Sequence, residues 1–240
     1  MNLANLINGL APIEKKFNDV MINGIDINSK EVSKGSLFVA IKGHSNDGHS
    51  FINDAFKNGA SAVISEKLQA SSIDKPQIIV EDTRKAASII SSRFYDNPSK
   101  EIIIIGITGT NGKTTTSYII KECLNQAGLK TAQIGTTGII ADGYKQVKTL
   151  TTPDAITLQK LLRTLVKQSF SHVVMEVSSH AIEQFRVQNI DFNIVVFTNL
   201  SEEHLDYHGT MENYFHAKSK LLDLLNHKTG LAVINSDDTY

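Results

Sequence analysis

A glycine-rich loop at residues 106–116 carries the residue types that bind a polyphosphate. The apolar run Ile102–Ile105 leads into glycines at positions 106, 109 and 112, and Lys113 and Thr114 then open a helical pattern. Such a loop directs backbone N–H groups and a helix N-terminus at one place, which suits phosphate oxygens. We expect Lys113 to reach the β- and γ-phosphates of a nucleotide and the Thr114 hydroxyl to hold Mg²⁺.

The glycine spacing of this loop departs from the usual G-x-x-x-x-G-K-[ST] pattern. Counting back from Gly112 and Lys113, the first glycine of that pattern should fall at position 107, which is Ile107. The alternative to a phosphate loop is a strand–helix turn without a ligand, but the Lys-Thr pair in this context favours a nucleotide triphosphate.

Polar residues also follow two later apolar runs. Glu176 ends the run that begins at His172, and a carboxylate at that place suits Mg²⁺ beside a phosphate loop. His204 and His208 are four residues apart, but the order is not H-E-x-x-H and no third ligand has suitable spacing, which disfavours zinc. One imidazole on a Mg²⁺ site with carboxylates is the better interpretation, although histidine is an unusual ligand for this hard cation.

Lys218 lies in the middle of the apolar face of a helix predicted over residues 212–226. At about 100° per residue, four apolar side chains fall within about 60° of it: Tyr214, Leu221, Leu222 and Leu225. The pattern leaves two interpretations open. The aliphatic stem of the lysine covers apolar surface while its amine reaches water, or the amine points inward, with a lowered pKa, and is neutral and reactive.

The elements that must position these residues alternate between strands and helices. Before residue 96 the pattern predicts strands at 36–41, 62–64 and 77–80, a helix at 51–58, and a helix capped by Thr83 that ends near Tyr95. After residue 100 it predicts strands at 102–105, 172–176, 193–198 and 231–235, and helices after the loop and at 155–167.

This alternation predicts an α/β fold. We expect a small N-terminal α/β domain over residues 1–98 and a P-loop-type, mostly parallel-sheet ATPase domain over residues 99–240, which stops before its sheet is complete. Ligands of such sheets bind at the carboxyl ends of the strands.

Composition excludes several classes of protein. The 240 residues hold 24 basic and 25 acidic side chains, which gives no electrostatic footprint for nucleic acid or an anionic membrane. No signal peptide or membrane-spanning run is present, and the single Cys123 fits a reducing compartment, so we expect a cytoplasmic protein. Cys123 is expected to be packed in the helix after the loop rather than reactive.

Several segments, taken together and in order, resemble the Mur ligase family. In the second half they are Thr108-Gly-Thr-Asn-Gly-Lys-Thr-Thr115, Thr151-Thr-Pro-Asp154, Met175-Glu-Val-Ser-Ser-His180, Gln184-Phe-Arg186, Thr198-Asn-Leu-Ser201, His204-Leu-Asp-Tyr-His-Gly209 and Tyr214-Phe-His-Ala-Lys218. In the first half they are Asn28-Ser-Lys30, Gly35-Ser-Leu-Phe-Val-Ala40 and Gly43-His-Ser-Asn-Asp-Gly48. The shorter Gly-Thr-Asn-Gly-Lys-Thr loop is a trait of that family, which accounts for the glycine spacing.

The resemblance implies an ATP- and Mg²⁺-dependent amide-bond ligase of peptidoglycan precursor synthesis. Its substrates would be UDP-N-acetylmuramoyl-L-alanyl-D-glutamate and a diamino acid, with diaminopimelate favoured over lysine, joined through an acyl phosphate. The rivals are another ligase of the superfamily, such as a folylpolyglutamate synthetase, and a non-catalytic module that binds ATP or the UDP-muramoyl ligand. The family's C-terminal domain is not among these 240 residues, so we expect the segment by itself to be inactive.

The resemblance also implies residue roles. The ATP-binding residues would be Gly109, Thr110, Asn111, Gly112, Lys113, Thr114 and Thr115. Thr114 and Glu176 would hold one Mg²⁺, and Glu176, His204 and a carbamylated Lys218 would serve a second. The UDP-muramoyl-dipeptide would contact Thr151, Thr152, Ser178, Gln184 and Arg186, and its uridine nucleotide would contact Ser29, His44, Ser45 and Asn46. His180 and His208 receive no role.

Overall fold

Short strands and helices build one sheet in each of two units, Met1–Phe94 and Tyr95–Tyr240. The computed structural model describes residues 1–16, 19–43, 46–69, 74–144 and 150–240. Within these ranges, no helix is long and apolar enough to cross a membrane.

The first unit is a five-stranded sheet in the order β1-β5-β4-β3-β2. Its strands are β1 (Glu14–Lys16), β2 (Gly24–Asp26), β3 (Ser36–Val39), β4 (Ala62–Ser65) and β5 (Gln77–Ile79), and its helices are α1 (Leu3–Leu6), α2 (Ile52–Lys57) and α3 (Thr83–Phe94). All neighbouring strands are parallel except β1, which runs antiparallel to β5. Helix α2 buries Ile52 and Ala55 against Phe38 and Val63 of the sheet.

The second unit is a six-stranded sheet in the order β11-β10-β6-β9-β7-β8. The strands are β6 (Ile103–Thr108), β7 (Thr131–Gly135), β8 (Gly138–Ile140), β9 (His172–Glu176), β10 (Ile194–Phe197) and β11 (Leu231–Ile234). The helices are α4 (Lys113–Gln126), α5 (Ala155–Lys167), α6 (Ser179–Glu183), α7 (Leu205–His208) and α8 (Met211–Ser219). Only the β7–β8 pair is antiparallel among these neighbours.

Both faces of the central strands of this second sheet are covered, which explains the nearly uninterrupted apolar runs of β6 and β9, whereas the edge strand β11 is exposed. Successive residues of a strand point to opposite faces, so Ile104 and Ile105 of β6 belong to different clusters. On one face, Ile120 of α4 packs beside Ile105. On the other face, Leu158 and Leu162 of α5 pack in the cluster of Ile104. The sequence-based prediction of an α/β fold with parallel sheets is therefore confirmed.

The register of the central strands brings three strand ends together. Ile107 near the end of β6 pairs with Glu176 at the end of β9, and Thr108 pairs with Phe197 at the end of β10. The segments that follow β6, β9 and β10 therefore leave the sheet at one edge. This edge is where an open parallel sheet places its ligand.

Several local predictions were wrong. Helix α3 is capped by Asp82, whose Oδ1 accepts from the backbone N–H groups of Arg84 and Lys85, rather than by Thr83. Cys123 is exposed, because it lies about 60° around α4 from the sheet-facing Ile120, on the side away from Leu124. The helix predicted over 212–226 ends at Ser219, and a 3₁₀ turn follows at Leu222–Leu224.

Helix α5 has the bounds that its sequence predicts because Asp154 caps it. The Asp154 side chain accepts from the N–H groups of Ile156 and Thr157, both at 3.0 Å from Oδ1. Replacing Asp154 by Ala should lower the free energy of unfolding by about 1 kcal/mol, measured by urea denaturation followed by circular dichroism. Asp154→Asn should retain most of that stability, because asparagine caps as well as aspartate; equal losses in both variants would contradict the hydrogen-bond explanation.

Candidate active site

Glycine at position 109 allows the loop after β6 to pass against the segment after β10. Gly109 has φ 138°, and a Cβ atom built there would overlap Thr198 Oγ1 and lie 3.0 Å from the carbonyl oxygen of Asn199. Gly112, with φ 83°, is the N-cap of α4. Both positions therefore require glycine for backbone conformation, and Gly109 also requires it for space.

The segment that follows β10 holds this loop by hydrogen bonds. The backbone N–H of Thr110 donates to Asn199 O at 2.9 Å, and that of Asn111 donates to Asn199 Oδ1 at 2.9 Å. The Thr198 hydroxyl donates to Asn111 O at 2.7 Å. The conformation of the loop thus depends on the end of β10, although Asn111 and Asn199 are 88 residues apart in the chain.

Glu176 is a fully buried carboxylate at the end of β9. Its Oε2 accepts from the Thr114 hydroxyl at 2.8 Å and from the Thr136 hydroxyl at 3.2 Å, and its Oε1 accepts from the Thr136 N–H at 3.1 Å. Gly135 makes room for it, because a Cβ at that position would overlap the carboxylate. Glu176 and Thr114 therefore present oxygen ligands of the kind that Mg²⁺ prefers.

Lys113 folds back onto its own loop. Its Nζ donates to Gly109 O at 2.9 Å and to Thr110 O at 2.7 Å. Burial lowers the pKa of this ammonium group, while the nearby carboxylates of Glu203 and Glu176 act in the opposite direction.

Lys218 points inward, which decides between the two interpretations that its sequence pattern left open. It is 2% exposed, its Nζ donates to Gly109 O at 2.8 Å, and the same atom lies 4.4 Å from the centre of the Tyr214 ring. Burial lowers its pKa to about 7, the charge of Lys113 contributes to the decrease, and Glu203 opposes it.

One carbonyl oxygen, that of Gly109, therefore accepts from two lysines. Two like charges at such a place repel each other, and anionic ligands are the groups that would relieve this repulsion. The donor set fits a polyphosphate together with Mg²⁺, because the Lys113 ammonium group lies near the carboxylate of Glu176, which is hydrogen-bonded to Thr114. Among the described residues, no group of three or more His, Cys, Asp or Glu side chains is arranged to hold a metal ion by itself.

His204 lies in the same region, beside Tyr214. It precedes α7 with φ 56°, and its ring centre lies 6.1 Å from that of Tyr214 and 4.9 Å from that of His180. Its Nε2 is 3.7 Å from Glu203 Oε2. His204 and Lys218 therefore both lie beside the ring of Tyr214.

The residues expected to contact the UDP-muramoyl-dipeptide surround Glu176. Thr152 donates to Glu176 O at 2.9 Å and accepts from the N–H of Ser178 at 3.1 Å. The Arg186 guanidinium donates to Thr152 O at 2.9 Å and to Gln184 Oε1 at 2.7 Å. Thr151 completes the group, since its hydroxyl is 3.1 Å from that of Thr136.

The residues expected to contact uridine belong to the first unit. Ser29 is buried, and its carbonyl oxygen accepts from Asn58 Nδ2 at 2.8 Å. Asn46 is exposed, and its carbonyl oxygen accepts from the N–H of Gly43 at 2.8 Å. His44 and Ser45 lie outside the described residues.

Sequence reasoning missed three residues that shape this site. Thr136 orients both oxygens of Glu176, the Tyr214 ring lies 4.4 Å from Lys218 Nζ, and the Glu203 carboxylate acts to raise the pKa of both lysines. Glu176 could be predicted because it ends an apolar run that indicates a strand. Thr136 also follows a strand, β7, but the apolar pattern did not predict that strand. Tyr214 was noticed only as an apolar neighbour of Lys218.

The fold and the site define an α/β protein of the P-loop type, with a glycine-rich loop and a buried carboxylate at the carboxyl ends of parallel strands. Residues 107–240 match the Mur ligase middle domain, and residues 21–95 match the Mur ligase family, catalytic domain. The chain belongs to the Mur ligase family.

Two curated relatives illustrate the similarity. The UDP-N-acetylmuramoyl-L-alanyl-D-glutamate--2,6-diaminopimelate ligase of Bacillus velezensis is 46% identical over 246 residues, which cover 99% of this chain and 50% of the relative. The enzyme of the same name from Clostridium perfringens is 42% identical and covers 100% of this chain and 49% of the relative. The chain thus spans about half the length of the relatives that it matches.

Solved structures agree with the fold. A structure of a UDP-N-acetylmuramoyl-L-alanyl-D-glutamate--2,6-diaminopimelate ligase has a TM-score of 0.77 and 34% identity, over 91% of this chain and 44% of that one. The MurF ligase from Thermotoga maritima in complex with ADP has a TM-score of 0.61 and 24% identity, over 92% of this chain and 47% of that one, and shows the fold alone.

The space available at Gly109 generates a prediction about nucleotide binding. Gly109→Ala in the full-length protein should weaken binding of a non-hydrolysable ATP analogue at least about ten-fold by calorimetry, because strain of about 1–3 kcal/mol would distort the loop. Gly128→Ala is the matched control: it also has a positive φ, 80°, but its Cβ would meet nothing within 4 Å. Comparable loss of binding in the two variants would count against a specific role for the loop.

The lowered pKa of Lys218 predicts a pH-dependent stability. Between a pKa of about 7 in the folded protein and about 10.5 in the unfolded chain, the unfolded state binds more protons, so stability should rise with pH. Lys218→Met lacks this titration. The melting temperature of the natural protein relative to this variant should therefore increase from pH 6 to pH 9 in thermal unfolding; a constant or falling difference would show that the amine is not neutral when folded.

Proposed function

We propose that the protein is an ATP-dependent amide-bond ligase of peptidoglycan precursor synthesis, which joins meso-diaminopimelate to UDP-N-acetylmuramoyl-L-alanyl-D-glutamate. The convergence of Lys113 and Lys218 on the Gly109 carbonyl, beside the buried carboxylate of Glu176, is the observation that carries this proposal. The printed names of the Bacillus velezensis and Clostridium perfringens relatives support the choice of substrates.

The reaction needs positive charge beside the phosphates, which Lys113 and Mg²⁺ would supply. A carboxylate is a poor electrophile until one of its oxygens belongs to a good leaving group, so ATP first converts it to an acyl phosphate, which the amine then attacks with loss of phosphate. Two anions must approach each other in the first step, and positive groups must offset their repulsion. The Lys113 amine would replace its hydrogen bonds to the Gly109 and Thr110 carbonyls by hydrogen bonds to phosphate oxygens. The loop N–H groups would orient the phosphates.

The Mg²⁺ ligands follow from the oxygen atoms near the loop. Thr114 and Glu176, already joined by a hydrogen bond of 2.8 Å, would hold one ion. Glu176, His204 and Lys218 would serve a second ion, with Lys218 as a carbamate; the neutral amine is the form that reacts with CO₂, and the lowering of its pKa to about 7 raises the fraction of that form. When bound, Mg²⁺ supplies charge neutralisation to the phosphoryl group.

The acceptor substrate would lie along the residues around Glu176. Thr151, Thr152, Ser178 and Gln184 would contact the muramoyl-dipeptide, and Arg186 is suited to pair with an anionic group of it. Residues 1–98 would form the uridine-nucleotide domain, through Ser29, His44, Ser45 and Asn46, and residues 99–240 the ATP-binding domain.

The comparisons favour this reading over its rivals. A folylpolyglutamate synthase from Mycobacterium tuberculosis shares only 18% identity with 65% of this chain, so its likeness concerns the fold alone. The buried Lys218 amine on the carbonyl of the phosphate loop favours a catalytic site over a non-catalytic binding module.

Removal of the Lys218 amine should abolish ligation. In the full-length protein, Lys218→Ala should reduce phosphate release that depends on both UDP-muramoyl-dipeptide and diaminopimelate by at least about a hundred-fold, with partial rescue by added short carboxylates if the carbamate holds Mg²⁺. Lys220→Ala, at an exposed position two residues further on, is the matched control and should retain activity. Near-normal turnover by Lys218→Ala would refute the role of Lys218, and turnover with folate substrates instead would refute the proposed substrate class.

A further inference from the structure

His208 has a buried side chain that the proposed function does not use. The side chain is 1% exposed, its Nε2 is 2.9 Å from Ser179 Oγ, and its Nδ1 is 3.5 Å from Glu183 Oε2. Because a carboxylate only accepts, the ring proton belongs on Nδ1, and the Ser179 hydroxyl then donates to Nε2. Both partners lie on α6.

Helix α6 is coupled closely to the Mg²⁺ ligand Glu176. Its first residue, Ser179, is 1% exposed and comes three positions after Glu176, and the N–H of the intervening Ser178 is hydrogen-bonded to Thr152. Thr152 in turn donates to Glu176 O. A contact to Ser179 therefore acts three residues from Glu176, at the end of β9.

His208 also contacts the helix that carries Lys218. Its ring centre lies 5.0 Å from that of Tyr214, with 36° between the planes, and Asn213 Nδ2 donates to His208 O at 3.0 Å. The ring of Tyr214 lies 4.4 Å from Lys218 Nζ, and the Tyr214 hydroxyl is 3.4 Å from Thr110 Oγ1 of the loop. A continuous set of contacts thus runs from α6 through His208 to the buried amine.

The local chain around His208 depends on such contacts for its position. Helix α7 has four residues and lies between His204, with φ 56°, and Gly209, with φ 78°. A single helical turn has little stability of its own, so tertiary contacts must place it. His204 precedes this turn directly, and its position therefore depends on where His208 is held.

We propose that His208 is a positioning residue: through Ser179 and Tyr214 it holds His204 and Lys218 in register with Glu176, so that ligands from two separate parts of the chain meet on one Mg²⁺. This inference rests on the proposed function for the roles of His204 and Lys218. The polar link to Ser179 aligns α7 with the end of β9, and the ring contact with Tyr214 carries this alignment to α8.

The test measures metal affinity rather than turnover. Full-length protein saturated with a non-hydrolysable ATP analogue is titrated with Mn²⁺ and bound ion is followed by electron paramagnetic resonance, well below the melting temperature of each variant. His208→Phe keeps an aromatic ring beside Tyr214 and removes both polar contacts, Ser179→Ala removes the partner alone, and His208→Gln can restore a bond to Ser179. His216→Gln, an exposed position on α8 whose side chain is 62% accessible, is the matched control.

His208→Phe and Ser179→Ala should each weaken Mn²⁺ binding about five- to ten-fold, the loss expected for one buried hydrogen bond. Their combination should be no weaker than His208→Phe, because both break the same link. His208→Gln should recover most of the affinity, and the His216 variant should match the natural protein.

Unchanged Mn²⁺ affinity in His208→Phe, with only a lower melting temperature, would reduce His208 to a packing residue, and additive losses in the double variant would overturn the shared link. If His208→Phe fails to fold, Ser179→Ala, which keeps the imidazole, decides the question. Natural protein that binds Mn²⁺ and the analogue but never ligates would refute the proposed function while the same titrations still judge His208.

Discussion

The hydrogen bonds of two lysines to one backbone carbonyl are the interaction on which the rest of this site depends. Lys113 lies near the beginning and Lys218 near the end of the part of the chain that forms the second unit, and both donate to Gly109 O. In a poorly hydrated place their repulsion is strong: burial, together with the charge of Lys113, lowers the pKa of Lys218 to about 7, and the carboxylate of Glu203 acts in the opposite direction on both lysines. An anionic ligand would complete this balance, which is why the arrangement suits phosphate chemistry.

The parallel sheet supplies the geometry that this interaction requires. Strands β6, β9 and β10 end side by side, so the loop, Glu176 and the Thr198–Asn199 segment meet without long connections. Glycines remove the side chains that would obstruct this meeting: Gly109 passes Thr198, Gly135 leaves room for Glu176, and Gly106 lies against the buried ring of Phe192. The carboxylate of Glu176 is therefore placed by strand register, whereas His204, which precedes α7, and Lys218 of α8 lie on segments that must be aligned separately.

Polar and aromatic side chains packed within the second unit align the segments that carry these two ligands. Histidine and tyrosine rings from α6, α7 and α8 pack together, and His208 of α7 is hydrogen-bonded to Ser179 of α6. Burial lowers the pKa of His208 and of His180, so both rings are mainly neutral near pH 7 and suited to a packed interior. This packing lies beside the hydrogen bond that joins Lys218 to Gly109 of the loop, two residues that are 109 positions apart in the chain.

By itself, the sequence determined the features that depend on local spacing. It predicted the α/β class, helix α5 with its bounds, strand β9 with Glu176 at its end, and the glycine loop, because periodicity and capping act within a few residues of the chain. It also listed Lys218 as a residue of the site but left its direction open. Only the tertiary structure decided that this amine is buried on Gly109, that Thr136 orients Glu176, that Cys123 faces solvent and that α8 ends at Ser219. Each of these depends on which distant segment packs against the residue, and local sequence patterns carry no information about that.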